Sequence, residues 1–342
     1  MPAWHIESLE SLSGDSLVLD ILDGELSESG QHLLNFEIGG NFGFINLNGE
    51  LKLLEPVDYK VALSDRSFIN YSNLPNTFVI QDIGGEYVSS FQTSGYPKFS
   101  ENGDRLFMIK NDSTGISEIT EQGDLKWYID FTSLITSLSI TDKYVLVGLL
   151  DGRLRLLNNL GESVFDVSPG GSRMQVIYGC SINDDGTVIA GVSGLYPQRF
   201  FYIKGPDFNN ANVTFLELDS DFRREIFISF SDSGKYIFFE GLGNVNIFDL
   251  TNNQLNQIPI KGSLTGIEEL ETRGVISILS EYYLGTELQI FRLNNNLIYE
   301  ENIPHKEVFI KNISDSLLIG YSVKEEDGQY NTHMLRYDLK DM

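Results

Sequence analysis

Short apolar runs alternate with polar turns along most of the chain. Between residues 96 and 130 the apolar runs cover residues 96–99, 105–110, 116–119 and 125–130. Clusters of Gly, Asn, Asp and Ser separate these runs, which is the sequence form of short strands joined by tight turns. The pattern predicts one antiparallel meander of four strands.

The turn before the second strand of this unit returns along the whole chain. Its last residue is Gly30, Asp65, Gly103, Asp142, Gly186, Gly234, Gly274 and Asp315 in successive copies. A period near 40 residues with four strands per copy is typical of a β-propeller. We predict an all-β propeller with eight four-stranded antiparallel blades. Seven blades is the alternative, because the run LVLDIL in the first copy can also be a closing strand, and an irregular β-sandwich can imitate parts of the pattern.

The predicted blades leave the last one short of a strand. They cover residues 16–54, 59–92, 96–130, 137–166, 176–217, 226–258, 266–302 and 308–338. Too few residues follow the last blade to supply its fourth strand, and the amphipathic segment 4–9 precedes the first blade. We therefore expect the N-terminal segment to complete the C-terminal blade, which would protect sheet edges from unwanted pairing.

Bulk properties limit the function classes. The 342 residues are 41% hydrophobic with no break in composition, which predicts a single domain over residues 1–342. No apolar run is long enough to span a bilayer. The formal charge of −25 disfavours nucleic acid as a partner and suits either solubility or a basic partner. The one cysteine, Cys180, excludes an internal disulfide, and we expect it to pack in the core rather than act as a nucleophile.

Motifs for catalysis or for a cofactor are missing from the sequence. The histidines, at positions 5, 32, 305 and 333, have no second histidine at zinc-ligand spacing. The sequence also lacks a Gly-x-Ser-x-Gly elbow, a Walker loop and a dinucleotide-binding fingerprint. The acidic turns at residues 183–186 and 324–328 lack the alternating carboxylates of a calcium loop. We therefore expect no metal, no cofactor and no enzymatic activity.

Three segments carry a resemblance to known proteins: KWYIDF at 126–131, VGLLDGRLRLLNNLGESVF at 147–165 and SDSGKYIFFE at 231–240. They resemble the bacterial propellers of the quinoprotein-like (PQQ-repeat-like) and WD40-like superfamily, and the Ser-x-x-Gly turns are similar to those of WD40-type and TolB-type repeats. Trp127 lies where quinoprotein-like repeats place a docking tryptophan. No blade ends in Trp-Asp, and a single cysteine cannot form the adjacent pair found in many quinone-dependent dehydrogenases. The resemblance therefore implies architecture rather than activity.

The fifth blade interrupts the regular period, because the intervals around it lengthen from 39 to 44 and 48 residues. The extra residues fall in segments 168–175, 193–200 and 219–225. In a propeller, connections between blades and turns between second and third strands share one face, so these segments should cluster. The candidate partner-binding residues there are Arg173, Tyr196, Gln198, Arg199, Phe222, Arg223 and Arg224. Arginine and aromatic side chains are favoured at binding hot spots. Alternatively, the arginines neutralise Asp219, Asp221 and Glu225, or the long loops are tolerated decoration.

The functional expectation from the sequence is a non-catalytic scaffold for protein–protein interaction. The superfamily resemblance implies a subunit of a bacterial envelope-associated assembly, periplasmic or extracytoplasmic if an export or anchor segment was removed. A cytoplasmic location is the alternative. The alternative function is a propeller, possibly enzymatic, that binds a small ligand or glycan in its central channel. The first strands of the blades read as apolar or mixed and give no ring of polar residues for such a site.

Overall fold

The computed structural model describes residues 6–12, 33–46, 50–73, 75–100, 103–205, 208, 212–270, 274–293, 296–313, 316–324 and 330–338. These residues form strands and turns that make eight separate antiparallel sheets. The chain is therefore an all-β propeller with eight blades, as the repeat predicted.

The strands follow the chain blade by blade. The N-terminal strand is β1 (Ile6–Leu12). Blade one has β2 (Leu33–Ile38), β3 (Asn41–Asn46) and β4 (Leu51–Pro56). Blade two has β5 (Lys60–Leu63), β6 (Ser67–Tyr71), β7 (Phe78–Asp82) and β8 (Tyr87–Phe91). Blade three has β9 (Tyr96–Phe99), β10 (Leu106–Ile109), β11 (Gly115–Ile119) and β12 (Leu125–Asp130). Blade four has β13 (Ile135–Ile140), β14 (Tyr144–Leu149), β15 (Leu154–Asn158) and β16 (Ser163–Val167).

The remaining blades follow the same plan. Blade five has β17 (Met174–Ile182), β18 (Val188–Leu195), β19 (Gln198–Lys204) and β20 (Val213–Leu218). Blade six has β21 (Ile228–Phe230), β22 (Tyr236–Gly241), β23 (Asn244–Asp249) and β24 (Gln254–Pro259). Blade seven has β25 (Ser263–Leu270), β26 (Val275–Tyr282), β27 (Gly285–Arg292) and β28 (Asn296–Ile303). Blade eight has β29 (Val308–Ile313), β30 (Ser316–Lys324) and β31 (Tyr330–Asp338).

The N-terminal strand completes the C-terminal blade, as predicted. Strand β1 pairs antiparallel with β31, and the sheet has the order β1-β31-β30-β29. The predicted limits of blades two to eight agree with the strands, the largest difference being that blade seven begins at Ser263 rather than at residue 266. In blade one the described residues form three strands, and the predicted opening strand LVLDIL lies outside the described residues.

The chain divides into two compact units, and each is considered by itself. One unit contains residues 1–58, 83–86 and 260–342, and the other contains residues 59–82 and 87–259. The second unit holds blades two to six and carries all of the candidate binding residues. The single domain expected over residues 1–342 stays a prediction.

Apolar layers between consecutive sheets hold blades two to six together. One cluster joins blades two and three, a second joins three and four, a third joins four and five, and a fourth joins five and six. Second strands such as β14 and β18 are almost wholly buried, whereas fourth strands such as β12 alternate exposed and half-buried residues. This difference follows from position, because an outer strand faces a neighbour on one side only.

First strands of neighbouring blades also meet through side chains. The Thr136 hydroxyl donates to the Ile177 carbonyl at 2.6 Å, and the Cys180 amide donates to the Ser137 hydroxyl at 3.0 Å. Cys180 is buried, as expected, and burial raises the pKa of its thiol to about 12. The thiol is therefore protonated at neutral pH and suited to packing rather than to nucleophilic attack.

Trp127 docks on the next blade. The ring lies against Gly161, in the turn between β15 and β16, where an added β-carbon would sit 2.7 Å from an indole carbon. Phe91 packs in the same way against Gly123 of the following blade. Both glycines have positive φ, 75° and 87°, so the turn conformation and the close approach both require glycine.

Candidate interaction surface on blade five

The three irregular segments of blade five come together at one end of its sheet. The Ser172 hydroxyl donates to the Pro197 carbonyl at 2.7 Å, and the Arg173 amide donates to the Tyr196 carbonyl at 3.3 Å. The Arg223 guanidinium donates to the Tyr196 hydroxyl at 2.8 Å. The connection into the blade, its central hairpin turn and the connection out of it therefore form one surface, the arrangement expected from propeller topology.

The central hairpin of blade five is longer than its neighbour in blade six. Tyr196, at the tip, is ten residues after the turn glycine Gly186, whereas Leu242 is eight residues after Gly234. Two additional residues in an extended strand correspond to about 7 Å. Tyr196 has a φ of 61°, unusual for a non-glycine residue, and its side chain is 55% exposed. The backbone contacts of the preceding loop hold this conformation in place.

Gln198 anchors the surface from below. It is buried, its amide nitrogen donates to the Phe222 carbonyl at 3.0 Å, and its amide oxygen accepts from the Ser220 hydroxyl at 2.7 Å. Both ends of the amide are therefore satisfied within the protein. Gln198 ties the loop after β20 to the hairpin, so it positions the surface without being offered to a partner.

Arg199 and Arg224 are held by carboxylates in the sheets. Arg199 contacts Glu217 at 3.1 Å, one strand away, and its guanidinium lies beside Gly171 of the entering loop. Arg224 forms a two-pronged pair with the buried Glu240, at 2.8 and 2.6 Å. The hydrogen bond to Glu240 raises the pKa of Arg224. Both arginines therefore connect elements of the structure.

Phe222 is half-buried and belongs to the apolar layer between blades five and six. The Arg224 guanidinium lies 4.7 Å from the centre of its ring. Stacking of this kind fixes the direction of both side chains. Phe222 thus fixes the connection that leaves blade five to the apolar layer, and Arg224 binds Glu240 in the sheet of blade six.

Arg173 and Arg223 differ from the other arginines of this unit. Both are exposed, and within the described residues neither makes an ion pair with a carboxylate. The remaining arginines of the unit, Arg66, Arg105, Arg153, Arg155, Arg199 and Arg224, each contact a carboxylate. The observed pairs go to strand residues such as Glu217 and Glu240, and not to Asp219, Asp221 or Glu225.

Sequence reasoning missed the exposed apolar residues at this end of the sheets. Leu150 and Leu242, in the turns of blades four and six, are 44% and 62% exposed. Met174, at the start of β17, is also exposed. A sequence pattern assigns a leucine at a hairpin turn to the adjacent strand. Leu150 therefore cannot be distinguished from the rest of the apolar run VGLL. The available signal was the glycine two residues after it, which marks the turn.

The described residues of this surface form no cavity that fits a small ligand. The crevice lined by Gly152, Ser172, Gln175 and Ser193 is too narrow to admit a water molecule. Across the part of the chain that the structure describes, no three His, Cys, Asp or Glu side chains are grouped to hold a metal ion. No helix among the described residues is long and apolar enough to cross a bilayer. The surface itself is a projecting tip with exposed arginine, tyrosine and leucine side chains.

Comparison with known proteins identifies the class. A family model described as beta-propeller protein matches residues 1–324. The chain belongs to this β-propeller family.

Individual relatives are more distant. An uncharacterized protein of Treponema pallidum (strain Nichols) is 24% identical over 251 residues, which cover 73% of this chain and 66% of that protein, slightly less than two thirds of its length. BamB from Moraxella catarrhalis has a similar structure, with a TM-score of 0.59 and 14% identity over 96% of this chain and 99% of BamB. The computationally designed Ika8 protein gives a TM-score of 0.60 and 15% identity, over 89% and 94% of the two chains. At these identities the structural likeness concerns the fold.

Proposed function

We propose that this protein is a non-catalytic scaffold that binds a partner protein through the loop surface of blade five. The observation that carries the proposal is a tip fixed from several sides that still presents exposed arginine and tyrosine side chains. Gln198, Ser172 and Arg224 hold the loops internally, while Tyr196, Arg173 and Arg223 face outward. A surface that is already ordered loses little conformational entropy on binding, which favours affinity.

The amino-acid types at the tip fit this role. Tyrosine and arginine are enriched among the residues that dominate binding energy at protein interfaces. Tyr196 offers a rigid apolar ring, and the hydrogen bond from Arg223 restricts its hydroxyl end. Arg173 adds a second guanidinium beside the same turn, since its backbone bonds to Tyr196.

The biological setting is part of the same proposal. The quinoprotein-like resemblance of the sequence implies a subunit of a bacterial envelope-associated assembly. A bacterial relative in Treponema pallidum and a bacterial structural neighbour, BamB, support a bacterial origin. Catalysis has no part in this proposal.

Affinity capture from an extract of the native host tests the proposal. The bait is the full chain, compared with the variant Arg173→Glu/Arg223→Glu, in which both unpaired guanidinium groups are replaced by carboxylates. We chose Arg173 rather than Arg224 to accompany Arg223, because Arg224→Glu would place a second carboxylate against the buried Glu240. We expect one protein to be retained by the unmodified chain and lost from the variant.

A matched control separates surface specificity from net charge. Lys143→Glu/Lys235→Glu makes the same change in charge at exposed lysines of the opposite turns, before β14 and β22. Capture should survive this change. A partner that both variants retain, or both lose, would refute the assignment to blade five, and capture of none would refute the scaffold proposal.

A further inference from the structure

Exposed apolar side chains continue the blade-five surface across its neighbours. In blades four to six, the end of the sheet that carries Tyr196 also carries Leu134, Leu150, Met174, Phe227 and Leu242, each between 39% and 62% exposed. Met174 is the first residue of β17, and the others lie in turns between second and third strands or in connections between blades. We call these five residues together with Tyr196 the apolar arc.

Backbone hydrogen bonds join the loops of the arc within each blade. Blades four and five also meet here, because an added β-carbon at Gly152 would lie 2.6 Å from Gln175. The Leu150 amide donates to the Leu134 carbonyl at 2.9 Å, which joins the blade-four turn to the connection that enters the blade. In blade five, Arg173, next to Met174, donates to the Tyr196 carbonyl. In blade six, the Glu240 amide donates to the Phe227 carbonyl at 3.1 Å. Apolar side chains in adjoining turns of three consecutive blades are more than the scattered exposed residues of an ordinary surface.

Two arginines lie at the blade-five part of the arc. Arg173 and Arg223 both contact Tyr196 and have no carboxylate partners in the described residues. Asp219 and Asp221 share a loop with Arg223 but form no ion pair with it among the described residues. The guanidinium groups therefore retain donors that a carboxylate can use in two-pronged fashion.

The overall charge of −25 does not oppose an acidic ligand at this place. Exposed charges further apart than about 8 Å are largely screened at physiological ionic strength. The groups within that distance decide the local preference, and Arg173 and Arg223 both contact Tyr196 directly. The long-range field slows the approach of an acidic partner and makes its binding sensitive to salt.

We infer that the apolar arc binds an extended segment of a partner protein that carries carboxylates beside apolar side chains. The apolar side chains would cover Leu150, Met174 and neighbouring members of the arc, and the carboxylates would pair with Arg173 and Arg223. This inference rests on the proposed function and adds the chemistry of the partner. A linear segment fits because the arc runs along the loop ends of three blades rather than around an enclosed pocket.

Selection from a displayed library of random twelve-residue peptides tests the inference, with the full-length protein as the immobilised target. We expect enriched peptides to contain Asp or Glu next to Leu, Ile, Phe or Tyr. Synthetic versions with a fluorescent label are then titrated against three forms of the protein: the unmodified chain, Arg173→Gln/Arg223→Gln and Leu150→Ser. Each change should weaken binding about tenfold or more, and the arginine change should also reduce the salt dependence.

Two controls make the result specific. Lys143→Gln/Lys235→Gln removes the same charge from the opposite turns, and Leu160→Ser removes an exposed leucine from the opposite end of blade four. Neither should alter binding by more than about twofold, since neither group lies on the arc.

Other outcomes overturn the inference. Enriched peptides without carboxylates, or peptides whose affinity ignores Arg173, Arg223 and Leu150, would exclude the acidic and apolar ligand. Failure to enrich any peptide would exclude an extended segment. Binding of vesicles with anionic lipid that competes at these arginines, without peptide binding, would assign the surface to membranes. In the first two cases the scaffold proposal would still stand if host capture depended on Arg173 and Arg223.

Discussion

The two ends of the sheets in blades two to six are built in different ways. At one end, which we call the turn end, Ser or Asn begins a four-residue turn that closes on glycine in blades three, five and six. The amides of Gly103, Gly186 and Gly234 donate to the carbonyls of Ser100, Asn183 and Ser231 at 2.8 to 2.9 Å. At the other end, the loop end, turns and connections differ in length from blade to blade. The same kind of turn therefore recurs at the turn end, whereas the loops at the loop end differ from blade to blade.

Contacts between blades at the turn end explain its regularity. A β-carbon at Gly186 would lie 2.4 Å from the Tyr144 ring of the preceding blade, and one at Gly103 would lie 2.7 Å from the Ser64 hydroxyl. Glycine is thus needed both to make the turn and to fit against the neighbour. The loop end of blade five instead uses side chains, such as Gln198 and Arg224, that serve this one surface. A repeated fold can vary its loop end freely because the turn end joins the blades.

The largest expected effect comes from removing a buried charge at the turn end. Glu118 contacts Arg105 at 2.5 Å and accepts from the Trp127 indole at 3.0 Å, and both ion-pair partners are buried. Glu118→Gln should lower the free energy of unfolding by about 3–5 kcal/mol, because it leaves Arg105 without its counter-charge. Denaturant titration measures this. Glu217→Gln, which breaks the exposed pair with Arg199, should cost less than about 1 kcal/mol, and equal losses would contradict the comparison.

The same carboxylate predicts a pH dependence. Burial acts to raise the pKa of Glu118, but hydrogen bonds from Arg105 and Lys126 outweigh it, and the pKa is lowered. Its stabilising contribution is therefore complete above the ordinary glutamate pKa of about 4.3 and is lost as the pH falls through the lower value of the folded protein. The difference in unfolding free energy between the unmodified chain and Glu118→Gln should shrink as the pH falls below about 4. A difference that stays constant would show that the charge of Glu118 is not responsible.

A pair of glycine substitutions separates packing from turn conformation. Gly161, at the turn end, meets Trp127, whereas Gly243, at the loop end, has nothing within 4 Å of an added β-carbon. Both have positive φ, 75° and 68°. Gly243→Ala should cost about 1–2 kcal/mol for the left-handed conformation alone. Gly161→Ala should cost about 1–3 kcal/mol more, because the methyl group collides with the indole. Thermal and denaturant unfolding of both variants would show whether this difference exists.

Loss of the Gln198 side chain should have a smaller and more local effect. Gln198→Ala removes the bonds to Phe222 and Ser220 and should lower the free energy of unfolding by about 1–3 kcal/mol. Amide hydrogen exchange should accelerate in residues 219–225 while blade three is unchanged. Gln254→Ala, at an exposed glutamine of β24, is the control and should change neither quantity. Uniform acceleration across the blades would mean that Gln198 supports the whole unit rather than the loop.

The smallest effect on stability belongs to the two unpaired arginines. Arg173→Gln/Arg223→Gln should change the free energy of unfolding by no more than about 0.5 kcal/mol, since only exposed contacts are lost. The same variant should lose partner or peptide binding. A loss of stability above about 2 kcal/mol would show that these arginines are structural. The loop end would then contribute to the stability of the fold, as the turn end does.

The difference between the two ends also decides what could be predicted from the sequence. Turns of Ser, Asp, Asn and Gly at intervals near 40 residues predicted the blades, and the shortage of one strand in the last blade predicted that the N-terminal segment pairs there. Chain topology alone brought Arg173, Tyr196 and Arg223 together. Which arginines form ion pairs could not be predicted in the same way. Glu217 and Glu240 lie in strands, and the register of those strands determines which arginine each carboxylate contacts.

Two further features of the site depended on three-dimensional packing. Gln198 looked like an exposed binding residue, since its neighbours Tyr196 and Arg199 suggested a polar loop, but strand pairing turns its side chain into the interior. Leu242 lies in a two-residue turn whose apolar character a sequence pattern assigns to the adjacent strand. Exposure and pairing therefore decided which candidates remain at the surface.

The pairing of β1 with β31 constrains the order of events during synthesis. Leu12 and Tyr330 are 318 positions apart, so the N-terminal strand leaves the ribosome long before its partner exists. At about 5–20 residues per second, this interval is on the order of tens of seconds. During that time blades one to seven can form consecutively, each from residues already made, while residues 6–12 have no strand to join. Completion of the eighth blade is therefore a final step, which can occur only after the whole repeat has been synthesised.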